Sequence, residues 1–223
     1  MAGHVLIGRA RVPDGVELQL LQSGDDFLIA LGSNELMSTD IYASEEALAT
    51  LTCARLDRRE APHLLIGGYG MGFTLRAALN AVGQQASITI AEIMPEIIAW
   101  ARGPMRTLTG GCLDDPRVTL VVDDVGMLIH SADRGYDAIL LDVDNGPEGL
   151  TRSRNDTLYT PEGLLAAMAA LRPRGILAIW SAEEDPTFTG ELQRAGFTVE
   201  ELAVAARPDD EEAHHHIWFA RNA

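Results

Sequence analysis

From His63 onward, short apolar runs alternate with helical stretches, and the alternation predicts strands and helices in turn. Leu64-Leu65-Ile66, Ser87–Glu92, Val118–Val122, Tyr136–Asp142 and Gly175–Trp180 read as strands. Between them, Thr74–Val82, a helix with Pro95 in its first turn, Val125–Ser131, Pro161–Leu171 and Pro186–Ala195 read as helices. Phe197–Ala205 and His215–Ala220 read as two final strands, joined by the polar stretch Arg207–Glu212, where no helix fits. Strands and helices in this order predict an α/β fold. Its core is a doubly wound, mostly parallel seven-stranded sheet, Rossmann-like, ending in an antiparallel hairpin.

The first 60 residues read differently. Val16–Leu21 and Asp26–Leu31 roughly alternate on either side of Ser23-Gly24-Asp25, which predicts a hairpin. A helix is expected from Ser44 to about Leu56, with Ser44 as its cap and Glu45 and Glu46 at its positive end. The chain therefore divides into a β-rich extension over residues 1–60 and a cofactor-binding domain over 61–223.

Composition narrows the chemistry. The 223 residues carry 17 basic and 33 acidic side chains, a formal net charge of −16, and every basic residue apart from His is Arg. Without Lys there is no Schiff-base lysine and no phosphate-binding lysine of the Walker or kinase type. The acidic balance argues against nucleic acid and against an anionic membrane surface. No apolar run is long enough to span a bilayer, and the start of the chain does not read as a secretory signal. The two cysteines, Cys53 and Cys112, stand apart and suggest neither a disulfide framework nor a zinc site. A cytoplasmic location is the default expectation. His214 and His216 share one strand face, but no third ligand is apparent, so no metal is expected.

Candidate chemistry lies at the strand ends. Gly67, Gly68, Gly70 and Gly72 form a turn between a strand and a helix, where the chain turns sharply and a ligand approaches the backbone. A dinucleotide fingerprint would place its third glycine at position 73, which is Phe73. Glu92 ends the next strand, where a carboxylate can accept hydrogen bonds from both ribose hydroxyls of an adenosyl group. Asp123 and Asp124 follow the third strand, and either could accept from the adenine amine. Asp142 ends the fourth strand. Arg152 and Arg154, in the loop that follows, could hold an anionic substrate group or pair with local acids.

Residues 60 to 220 resemble the spermidine synthase-like members of the class I S-adenosylmethionine-dependent methyltransferase superfamily. The resemblance rests on Leu64–Gly70, Ile90–Ile98, Asp115–Val118, Tyr136–Asp142 and Leu158–Gly163. It implies S-adenosylmethionine or its decarboxylated form as cofactor, with Glu92 on the ribose, Asp124 on the adenine, and Gly68 and Gly70 along the methionine part. It implies Asp142 as the group that deprotonates and orients an attacking amine, with Asp144, Asn145 and Tyr159 toward the substrate. Two positions depart from the spermidine synthase pattern. Asn145 stands where a second aspartate is expected, and the Ser44–Leu51 helix carries no Tyr-His pair. Methyl transfer to a small molecule is therefore the first expectation. Aminopropyl transfer to a polyamine is the alternative, a non-catalytic cofactor-binding module is another, and an NAD-dependent oxidoreductase ranks last. A homodimer is left open.

Overall fold

The computed structural model describes residues 3–11, 17–32, 34–57, 60–143 and 156–222. Its first element is a four-stranded antiparallel sheet: β1 (Val5–Arg11), β2 (Glu17–Ser23), β3 (Asp26–Leu31) and β4 (Asn34–Ser38), in spatial order. The hairpin expected from the alternation is β2–β3. Ser23 pairs with Asp26, and Gly24, at φ +63°, makes the tight turn. The sequence reading missed β1 and β4. In β1, Val5, Leu6 and Ile7 are all exposed, so no alternation marks the strand, and β4 is only five residues long. Pairing with β2 holds β1 in the sheet, and of its side chains only Ala10 is buried in the core. The extension keeps only a small cluster of its own, Leu21, Leu28 and Ala30. Leu18, Leu20, Phe27 and Ile29 pack into the cluster that contains Leu64 and Ile66.

Helix α1 (Ala43–Arg55) starts one residue before Ser44, and no side chain caps it. Ser44 lies inside the first turn and is fully buried. Its Oγ accepts from Trp180 Nε1 at 3.0 Å and sits 2.8 Å from His215 Nδ1. A serine that reads as a cap thus pins α1 to the sheet.

The second sheet contains β5 (His63–Gly67), β6 (Ser87–Ala91), β7 (Val118–Val121), β8 (Tyr136–Leu141), β9 (Leu171–Ser181), β10 (Thr198–Arg207) and β11 (Asp210–Arg221). Their spatial order is β10-β11-β9-β8-β5-β6-β7. The five strands β5 to β9 run parallel, and β11 inserts antiparallel between β9 and β10. The seven-stranded, hairpin-terminated α/β architecture is therefore as expected from the order of elements. The hairpin reaches further than expected, with Arg207 pairing Asp210 inside the stretch that reads as a connection.

Helices α2 (Phe73–Ala81), α3 (Pro95–Arg102), α4 (Val125–Ser131), α5 (Asp156–Tyr159), α6 (Pro161–Ala170) and α7 (Phe188–Ala195) connect these strands. Helix α7 begins two residues after Pro186, because Asp185 Oδ1 accepts the N–H groups of Thr187 and Phe188. Both sheet faces are buried, and alternation divides them cleanly. Leu64, Ile66, Leu140 and Ala178 join one core cluster; Leu65, Ile139, Leu141 and Ile179 join the other.

Strand β9 starts four residues earlier than its apolar run. Leu171 pairs with Tyr136, and the register slips before Ala138 meets Ile176. The slip leaves room for the buried Asp137, which accepts from His63 N–H at 2.8 Å and from Arg172 at 2.6 Å. Among the described residues, no helix is long and apolar enough to cross a membrane.

The chain leaves β5, builds outward through β6 and β7, and returns to place β8 on the other side of β5. That reversal opens a crevice at the carboxyl ends of β5 and β8, where doubly wound sheets bind ligands.

Candidate active site

The crevice is lined by Gly68 and Gly70 from the turn after β5, and by Glu92, Ile93 and Met94 after β6. Asp123, Asp124 and Val125 follow from the end of β7, with Asp142 and Val143 after β8. The N-terminal sheet covers it with Leu18, Leu31, Leu36 and Met37. These four apolar side chains were not read as site residues. Nothing in their local pattern separates a residue packed on the core from one packed over a crevice.

The glycine turn is built from left-handed backbone. Gly68, Gly70 and Gly72 have φ values of +84°, +54° and +86°. The reasons differ. At Gly68 a Cβ would run into the main-chain oxygen of Asp142. At Gly70 it would meet only Met37 Sδ, 3.0 Å away across the crevice. At Gly72 it would meet the Tyr69 ring, and Gly72 does not line the crevice. Gly67 lies within β5, where Val125 packs against it, and it also stands outside the lining. Of the four glycines proposed from the sequence, Gly68 and Gly70 face the crevice, while Gly67 and Gly72 shape the turn.

Glu92 is buried at 7% exposure, and its carboxylate is held from two directions. Oε2 accepts from Tyr69 N–H at 2.9 Å and Oε1 from Met94 N–H at 2.8 Å. The first bond ties Glu92 to the glycine turn, so the carboxylate and the turn are set by each other. Asp124 is the N-cap of α4, with Oδ1 accepting from Gly126 N–H at 2.8 Å. Asp123 accepts from the Asp124 N–H at 2.8 Å and is exposed at the crevice mouth. The sequence left these two as alternatives, and both line the crevice. Replacing Glu92 with Ala is expected to weaken adenosyl-ligand binding by about 1–3 kcal/mol, the scale of hydrogen bonds to a charged group. Calorimetry on the folded variant checks this, and unchanged affinity would remove Glu92 from the ligand site.

Asp142 follows β8 at the crevice. Burial raises its pKa from 3.8 to about 6, the Glu92 charge acts in the same sense, and the Thr74 hydroxyl opposes both by donating to Oδ2 at 2.5 Å. Thr74 was not expected at the site, although its place in the first turn of the helix after the glycines is a usable signal. Tyr159 does not line this crevice, contrary to the sequence reading. It lines a second cavity between α6 and α7, and its ring packs edge-on against Phe188. Asp144, Asn145, Arg152 and Arg154 lie outside the described residues. In the His214–His216 run, His215 turns to Ser44 and Trp180, and His216 Nδ1 lies 3.3 Å from Glu201. Among the described residues no group of three or more His, Cys, Asp or Glu side chains could hold a metal.

The fold and crevice together define a Rossmann-like α/β protein with an acidic site at the sheet's switch point. Its fold is that of a spermidine synthase from Thermotoga maritima, with a TM-score of 0.75 over 98% of this chain and 73% of that one, at 19% identity. A probable spermidine synthase from Corynebacterium glutamicum superposes with a TM-score of 0.69 over 97% and 80% of the chains, at 16% identity. Residues 45–195 match the spermine/spermidine synthase domain, and the chain belongs to that family. Among its relatives are a polyamine aminopropyltransferase from Mycobacterium tuberculosis, 28% identical over 82% of this chain, and polyamine aminopropyltransferase 1 from Streptomyces coelicolor, 30% identical over 78%. The chain spans about a third of those relatives, 35% and 32% of their lengths.

Proposed function

We propose that the protein transfers an aminopropyl group from decarboxylated S-adenosylmethionine to an amine, with Asp142 as the base. One observation carries this reading. Four carboxylates line the crevice (Glu92, Asp123, Asp124 and Asp142), and no Arg, Lys or His lines it among the described residues. S-adenosylmethionine brings a carboxylate of its own, which would enter this field with no cationic side chain to meet it among the described residues. The decarboxylated form carries only positive charge, as does a polyamine acceptor, and both are drawn into the same field. Family membership supports the same order, placing aminopropyl transfer ahead of the methyl transfer favoured by the sequence alone.

The crevice fits an adenosyl group. Gly68 and Gly70 leave the backbone approachable without Cβ atoms, and Glu92 is fixed by two N–H groups with its carboxylate at the crevice wall. Gly68 and Gly70 would flank the aminopropyl arm, Glu92 would hold the ribose, and Asp124 or Asp123 the adenine amine. The donor supplies a carbon on a cationic sulfur, which an amine lone pair can attack while the C–S electron pair leaves on a neutral thioether. The chain's part is to hold the acceptor nitrogen and take its proton. Asp142 Oδ1 is the site for that proton, because Oδ2 is engaged by Thr74. A base with a pKa of about 6 is ionised at neutral pH, yet sits closer to that pH than an ordinary aspartate. Apolar Leu18, Leu31, Leu36 and Met37 exclude water above it.

Titration with S-adenosylmethionine, its decarboxylated form and NAD, followed by turnover assays with diamines, tests this reading. The decarboxylated donor is expected to bind at least about tenfold tighter than S-adenosylmethionine, a difference of ~1.4 kcal/mol. Equal or tighter binding of S-adenosylmethionine, with methyl transfer to a metabolite, would restore the methyltransferase reading. Donor binding without turnover of any amine would leave a binding module.

A further inference from the structure

Among the described residues, Glu45 is the one acid near the site that neither the crevice nor an ion pair accounts for. It lies in the first turn of α1, outside the crevice lining, on the α1 side of Asp142. The Thr74 hydroxyl that donates to Asp142 also comes within 3.3 Å of the Glu45 main-chain oxygen, so the two acids share one small neighbourhood. Glu45 Oε2 is shut off from solvent and accepts no hydrogen bond among the described residues. The neighbouring Glu46 behaves as a helix-start carboxylate should. It is partly exposed and bonded to Arg76 at 2.6 Å, which occupies the nearest cation. Glu45 is held in its inward position because Ser44, one residue earlier, is fastened to Trp180 and His215 and fixes the rotation of α1.

A buried carboxylate oxygen without a donor is unfavourable, and persists where a ligand supplies the donors. An aliphatic ammonium brings three N–H donors and a positive charge, enough to satisfy Glu45 Oε2 and Asp142 together. We propose that Glu45 is the second carboxylate of the acceptor site, binding with Asp142 the cationic nitrogen of an aliphatic diamine or polyamine on the α1 side of the crevice. The proposal rests on the aminopropyl-transfer reading given above.

The electrostatics of the empty pair agree. Burial first, then the Asp142 charge, then Glu46 push the Glu45 carboxyl well above the usual carboxylate range, while Arg76 on α2 acts the other way. An arriving cation reverses the sign of the local field, so Glu45 gives up its proton as the amine binds. Acceptor binding is therefore linked to proton release.

The test uses the whole chain with decarboxylated S-adenosylmethionine and 1,4-diaminobutane. Glu45→Gln is nearly isosteric with the protonated carboxyl and adds no charge to the buried position, so its melting temperature should hold. Its KM for the diamine is expected to rise by roughly 10- to 100-fold, the effect of losing a hydrogen bond to a charged group. Donor affinity and kcat should change much less, and Glu45→Asp should fall in between. Calorimetry of the wild type in two buffers of different ionisation enthalpy should show proton release on diamine binding, and Glu45→Gln should release less, keeping only what Asp142 contributes. An unchanged diamine KM in folded Glu45→Gln, or the absence of proton release in a wild type that binds diamine, overturns the assignment of Glu45. The wild-type measurement decides even if the variants do not fold. A wild type that binds the donor but neither binds nor aminopropylates any diamine overturns the functional reading itself.

Discussion

Asp142→Asn is expected to lower turnover of an amine acceptor by roughly 10²–10⁴, the range for loss of a positioned general base. Donor affinity should change little, because the ribose and adenine contacts are the ones proposed for Glu92 and the Asp123-Asp124 pair. The amide retains an oxygen for the Thr74 hydroxyl, so the geometry around β8 is kept while the proton acceptor is lost. The pH profile gives an independent check. In the wild type, kcat/KM for the acceptor should rise through an inflection near 6, where Asp142 ionises, on top of the rise that any amine shows as it deprotonates. The variant should keep the second rise and lose the inflection.

Stability should move in the opposite direction. A carboxyl whose pKa is raised on folding favours the folded state most while protonated. Asp142's contribution is full below 3.8 and is lost as pH rises through about 6. At neutral pH the ionised, buried Asp142 is a cost, and Asp142→Asn should melt at the same temperature or higher. A variant as active as the wild type would remove Asp142 from the chemistry. One that is inactive but also fails to bind donor would make it a structural residue of the crevice.

Gly68→Val is expected to abolish donor binding and to destabilise the fold. The position has φ +84°, which a β-branched residue adopts only with severe strain, and its Cβ would collide with the main-chain oxygen of Asp142. Left-handed strain of about 1–3 kcal/mol and overpacking of about 1–3 kcal/mol combine to about 2–6 kcal/mol. For a domain of this size, that corresponds to a fall of roughly 5–20 °C in melting temperature. The lesion also moves Asp142, since the colliding atom is its own carbonyl. Gly83→Ala is the control: no atom lies within 4 Å of its Cβ and its φ is not positive, so it should leave both binding and melting temperature unchanged. Normal donor binding by Gly68→Val would sink the assignment of the turn.

Much of this was legible along the chain because the physics involved is local or periodic. Continuous apolar runs such as Tyr136–Leu141 announce strands buried on both faces. The absence of room for a helix between β10 and β11 forces a hairpin. Gly68, Gly70, Glu92 and Asp142 stand at strand ends, and a doubly wound sheet brings the carboxyl ends of adjacent parallel strands to one edge whatever the loops do. The acids of the crevice could therefore be named before their distances were known.

What the sequence could not decide were matters of partner and direction. Ser44 reads as a cap and Glu45 as a helix-dipole carboxylate, since both belong at a helix start. Only contacts with Trp180 and His215, more than 130 residues away, turn Ser44 into an anchor and Glu45 inward toward Asp142. Tyr159 matches a family segment but faces a different cavity, because the rotation of the short α5 is set by Phe188 packing. The apolar cover over the crevice comes from strands whose side chains carry no chemical signal. By itself, then, the sequence determined the order of strands and helices, the glycine turn and the acids at the strand ends, because spacing and residue type fix these locally. The tertiary structure alone decided which acids are buried, which are paired and which face one another, because those depend on long-range packing and on the exclusion of water.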